Sequence, residues 1–86
     1  MITVIARINA KIGQEEELQN ELKKMIPLTQ NENGALMYIL HVESDDKTKF
    51  VFIEKFSDIN AWDFHLSTTH FKKFSENIQY LVDIAP

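Results

Sequence analysis

The chain has 86 residues, 44% of them hydrophobic, with two Gly, two Pro and no Cys, which predicts one globular domain over 1–86 and leaves no room for a second core. The lack of cysteine excludes a disulfide framework, thiolate metal sites and thiol nucleophiles. A net charge of −4 with dispersed Lys and Arg argues against a nucleic-acid partner, which needs a basic stripe.

No apolar run approaches the roughly 20 residues that span a bilayer, so no membrane segment is expected. Met1 leads directly into a strand pattern rather than a basic-then-apolar leader, and a cytoplasmic location is the expectation.

Ile2 to Asn9 alternates Ile2, Val4, Ala6 and Ile8 against Thr3, Ile5, Arg7 and Asn9, the period of a strand. Gln14 to Ile26 reads as a helix, with Leu18, Leu22, Met25 and Ile26 as its apolar stripe. Pro27 either ends this helix or kinks it on the way to about Asn31. Asn33-Gly34 signals a turn or helix exit, because glycine accepts positive φ. Ala35 to Glu43 and Lys49 to Phe56 read as strands joined by a hairpin loop at Ser44–Lys47. Ser57 or Asp58 caps a helix running to about Leu66. Ser67-Thr68-Thr69 then interrupts it and caps a second short helix carrying Phe71, Phe74 and Ile78 on one face. Tyr80 to Ile84 is expected as a last strand.

The order βαββαβ is that of a ferredoxin-like α+β fold, a four-stranded antiparallel sheet with helices on one face. All the strands carry apolar residues on both sides, and two helices cover only one. A homodimer through the open sheet face is therefore predicted.

Two residues stand out chemically. Phe50, Phe52, Glu54 and Phe56 share one strand face, so a carboxylate sits in an aromatic row. His65 falls near the centre of the apolar arc formed by Ala61, Trp62, Phe64 and Leu66. Each has a plain reading, a solvated or ion-paired strand acid and a hydrogen-bonded core histidine. Together in an apolar pocket they would form a general base tuned toward neutrality. Trp62, Phe52, Phe56 and Tyr38 are core aromatics or the walls of a pocket for a flat aromatic or quinol-like ligand. His41 and His70 are surface histidines or pocket residues. No metal is expected, since the three histidines and the glutamate lie on separate segments and His65 and His70, five apart, do not share a helix face. No phosphate loop, nucleophile elbow or dinucleotide fingerprint is present.

Glu32-x-Gly34-x-x-x-Tyr38, His41-x-x-Ser44, Phe50-x-x-x-Glu54-x-Phe56 and Ala61-x-x-x-His65-x-x-x-x-His70-Phe71, in this order and spacing, resemble the antibiotic biosynthesis monooxygenase superfamily over nearly the whole chain. Phe56 stands where the family motif usually has Trp. The resemblance implies a dimeric α+β barrel and a monooxygenase, without metal or flavin, that oxidises a small quinol or phenol with O2. It implies His65 and Glu54 as the acid–base pair, with Tyr38, His41, Phe52, Phe56, Trp62 and His70 contacting substrate. The polyketide-oxidising branch fits less well, because Phe52 and Phe56 occupy its polar positions. The heme-degrading branch also fits poorly, because Ser75 replaces its axial ligand. An isomerase of a small oxygenated or phosphorylated metabolite and a non-catalytic binding dimer are the alternatives.

Overall fold

The computed structural model describes residues 1–83. In chain order it comprises β1 (Ile2–Asn9), α1 (Glu15–Gln30), β2 (Ala35–Val42), β3 (Lys49–Phe56), α2 (Ile59–Ser67) and α3 (Thr69–Ile78). The strands form an antiparallel sheet in the order β1-β3-β2. The helices pack on the face that carries Phe50, Phe52, Glu54 and Phe56, all buried. Leu18, Leu22 and Met25 from α1 meet Tyr38, Phe50, Phe52 and Phe74 in the core. Each large apolar side chain so buried contributes about 1.5–3 kcal/mol.

The fourth strand differs from expectation. Among the described residues the sheet has three strands, and the chain after α3 touches β1's end through one bridge, Ala10 to Val82. Lys11 N–H donates to the Leu81 carbonyl and Asp83 N–H to the Asn9 carbonyl, at 2.9 and 2.7 Å. The segment thus lies where a ferredoxin-like fold places its last strand. A tight turn off α3, in which Leu81 N–H bonds the Ile78 carbonyl at 2.8 Å, uses up the residues that would begin it. Ile84, the end of the expected strand, lies outside the described residues.

Helix α1 continues past Pro27 to Gln30. Proline has no N–H and so forfeits one intrahelical bond, but Pro27 sits on the exposed side of the helix while Met25 and Thr29 are buried. Tertiary packing outweighs that loss, and Lys23 and Lys24 consequently lie inside the helix rather than at its end.

The break between α2 and α3 is built by Thr68. Its hydroxyl donates to the His65 carbonyl at 2.8 Å and accepts from Phe71 N–H at 3.1 Å, closing one helix and capping the next. Asp58 caps α2 by accepting from Ala61 N–H at 2.8 Å. Gly34 has φ of +93°, and a Cβ there would lie 2.7 Å from the Ala61 Cβ and 2.8 Å from the Ser57 Oγ. Glycine alone lets the turn after α1 settle against the start of α2. That turn carries Glu32.

No helix among the described residues is long and apolar enough to cross a membrane.

Candidate acid–base site

Four ionisable side chains converge between sheet and helices. Glu32 comes from the turn after α1, Glu54 from the middle of β3, His65 from α2, and His70 from the first turn of α3. The Glu32 carboxylate lies 2.9 Å from His65 Nδ1 and 2.6 Å from His70 Nε2. On its other side, His65 Nε2 is 3.9 Å from Glu54 Oε1, too far for a direct hydrogen bond. That Oε1 is buried with no hydrogen-bond partner among the described residues.

The arrangement sets the protons. An ionised carboxylate only accepts, so His65 donates from Nδ1 to Glu32, and neutral His65 keeps its lone pair on Nε2, facing Glu54. His70 likewise donates from Nε2, leaving Nδ1 able to accept. Glu32 thus orients two imidazoles, as second-partner carboxylates do for catalytic and metal-bound histidines.

Burial raises the Glu54 carboxyl from 4.5 to about 7, and the charge of Glu32 adds to the shift. Removing a carboxylate from water favours its protonated form. Glu54 is therefore poised to exchange a proton near neutral pH. Tyr38 is pushed well above the ordinary phenol value by burial and then by Glu54, so it remains a neutral phenol.

Aromatic rings enclose the pair. Trp62 stacks on His65 with centroids 5.8 Å apart, Phe56 and Phe71 each lie 5.2 Å from it, and Tyr38 stacks on Phe52 at 4.3 Å. Phe52, Phe56, Glu54 and His65 are buried, whereas Trp62 is half-buried at the surface. Phe52, Phe56 and Tyr38 are core aromatics as well as neighbours of the inner pair. A cleft of about 600 Å³ opens at the other end of the cluster, with Glu32, Gly34, Ala61, Phe64 and His70 among its lining.

His41 is not brought to this cluster. It pairs across from Val51, whereas Tyr38 pairs across from Glu54, and the alternation of strand faces puts it on the open side of the sheet, where it is exposed. Glu32 is the member of the cluster that sequence reasoning missed. It stands in the motif that carries the family resemblance, but a lone turn glutamate gives no periodic signal.

The spacing argument that separated His65 from His70 also fails. On one continuous helix they would diverge, but the Thr68 break resets the phase and both reach Glu32. Glu32, His65 and His70 offer one ligand atom each within 4.8 Å of one another. The 2.6 Å and 2.9 Å contacts here are hydrogen-bond distances, and the same three side chains are grouped closely enough to hold one metal ion.

The fold and cluster define a small ferredoxin-like α+β protein with a buried carboxylate–imidazole centre between sheet and helices. The model of the family described as antibiotic biosynthesis monooxygenase matches residues 1–77, and the chain belongs to that family. It is 32% identical over 74 residues, 86% of this chain and 78% of the relative, to "Putative monooxygenase YcnE" of Bacillus subtilis (strain 168). The crystal structure of PA3566 from Pseudomonas aeruginosa superposes with a TM-score of 0.90 at 36% identity, covering 94% of this chain and 82% of that one. That of SO0527 from Shewanella oneidensis gives 0.90 at 32%, covering 94% and 80%.

Proposed function

We propose that the protein is a cofactor-independent monooxygenase that oxidises a small quinol or phenol with O2, using His65 and Glu54 as its acid–base pair. The observation that carries this reading is the face-to-face placement of His65 Nε2 and the unpartnered, buried Glu54 Oε1, 3.9 Å apart. A proton on either group is shielded from water, and a substrate hydroxyl placed between the two can exchange protons with both.

The stoichiometry needs that reversibility. Oxidation of a 1,4-dihydroquinone to its 2-hydroxyquinone inserts one oxygen atom of O2 into a ring C–H bond, and the other atom leaves as water with two substrate hydrogens. The four electrons that O2 takes up come from the substrate. Deprotonation makes the ring electron-rich enough to reduce oxygen, and the same proton then returns to the departing oxygen atom. The ring enters by displacing half-buried Trp62 and is held against Phe56, Phe52 and Tyr38. In air, a dihydroquinone panel is expected to show protein-dependent oxygen uptake that is indifferent to added chelator. Uptake equal to the no-protein control across the panel would sink this reading.

One observation favours a second reading, an isomerase of a small oxygenated, possibly phosphorylated metabolite. Lys73 and Lys24, the latter paired with Glu21 of the same lining at 3.0 Å, line a hollow of about 190 Å³ that shares His70 with the cluster, so Lys73 is the cation an anionic group would meet there. Turnover that continues without oxygen would select it. If the protein only binds such a molecule, saturable binding without turnover in either atmosphere is the result.

The same reading includes a homodimer. Ile5, Ile53 and Ile39 lie in register across the open sheet face, with Ile5 and Ile39 largely exposed. Stacking a second sheet there removes this apolar row from water. Light scattering is expected to give twice the 10.0 kDa chain mass, and Ile53→Lys to give the monomer. A monomeric wild-type protein at micromolar concentration would count against the dimer.

A further inference from the structure

The geometry points to a second binding site, the cleft outside α2, which takes a neutral hydroxylated aromatic ring with its hydroxyl hydrogen-bonded to His70. The cleft measures about 600 Å³, within the size range of small-molecule sites and ample for one ring. Its apolar walls are Leu28 and Phe64, both with about half their surface in water, together with Ala61. These are side chains that a bound ring would cover. Beside His70, its polar positions are the amides Asn31, Asn33 and Asn60, the Ser57 hydroxyl and the carboxylates Glu32 and Asp58, with no Lys or Arg. An anionic ligand would meet like charge without a counter-ion, whereas a neutral ring with hydroxyl groups finds acceptors.

His70 gives the site its chemistry. Its side chain is 24% exposed, while that of His65 is 2% exposed, so His70 is the imidazole of the cluster that a cleft ligand reaches. Its Nε2 donates to Glu32 at 2.6 Å, which leaves Nδ1 with a lone pair for an incoming hydroxyl. Because Glu32 also takes the Nδ1 proton of His65, a ring in the cleft sits one carboxylate away from the inner base. The location and ligand class follow from the lining residues. The proposal rests on the quinol reading only for the choice of first probe.

The test is titration of 15N-labelled protein with 1,4-dihydroquinone under argon, with benzoate as the anionic control. Saturable shifts are expected at the backbone amides of Asn33, Asn60 and Phe64, with benzoate binding at least 10-fold more weakly. His70→Gln keeps a donor for Glu32 but offers no basic nitrogen, and should weaken binding by about 3–10-fold, the range of one neutral hydrogen bond. Phe64→Ala, at an exposed position that leaves folding intact, should do the same through lost ring contact. Shifts confined to the Trp62 indole, benzoate binding as tightly as the quinol, or both variants binding within twofold of wild type would each overturn the site. Absence of any binding would do so too. Binding in the cleft without oxygen uptake in air leaves the site standing and removes only the oxygenase reading.

Discussion

Replacing His65 by Asn is expected to lower quinol-dependent oxygen uptake by about 100–10,000-fold, the usual share of a positioned general base, while leaving the protein folded. The choice of Asn matters. His65 is buried and bonded to Glu32, so alanine would leave a cavity and take from a buried carboxylate one of its two imidazole donors, a combination costing several kcal/mol. The Asn amide can keep the donor toward Glu32 and has no nitrogen able to accept a proton near neutral pH. Oxygen-electrode rates, read beside circular dichroism melting curves, separate the two effects. A His65→Asn protein that melts like the wild type and still consumes oxygen at more than a tenth of the wild-type rate would show that the acid–base pair lies elsewhere.

Glu54→Gln should raise stability at pH 8 by roughly 1–3 kcal/mol, or several degrees in melting temperature for a chain of this size, while abolishing the proton exchange that activity needs. The sign follows from the raised carboxyl. Folded Glu54 titrates at about 7 against 4.5 when unperturbed, so between these values the folded state holds a proton that the unfolded state has lost. The stability from neutral, buried Glu54 is fully present below about 4.5 and is lost as pH rises through 7, levelling off above it. Glutamine is permanently neutral and avoids that loss. Melting temperatures of the two proteins should therefore coincide near pH 4 and separate progressively up to pH 7–8. Parallel curves with no convergence at low pH would mean that Glu54 titrates alike in the folded and unfolded states and that its carboxyl is not raised by burial.

Much of this site was legible in the chain itself. Glu54 amid Phe50, Phe52 and Phe56 is a departure from a strand's apolar period, and the alternation rule put it on the helix-covered face where the structure has it. His65 in the apolar arc of α2 was visible for the same reason, because burial of a periodic face is a local property. Glu32 was not legible. A carboxylate in a turn is ordinarily solvated, and its burial depends on Gly34 docking against Ala61 and Ser57, a contact between segments more than twenty residues apart. His41 is a different case. Its place in the family's motif was visible, but strand alternation counted from Tyr38 puts it on the open face, away from Glu54.

The sequence by itself determined the element order, the amphipathic faces and the two anomalous polar residues, because these follow from hydrophobic period, capping and the chemistry of single side chains. Only the tertiary structure decided that Glu32 bridges His65 and His70, that the aromatic rings close over the inner pair, and that the open cleft lies at the outer end. Those are relations between surfaces set by packing and by the Thr68 break, and packing between distant segments leaves no periodic trace along the chain.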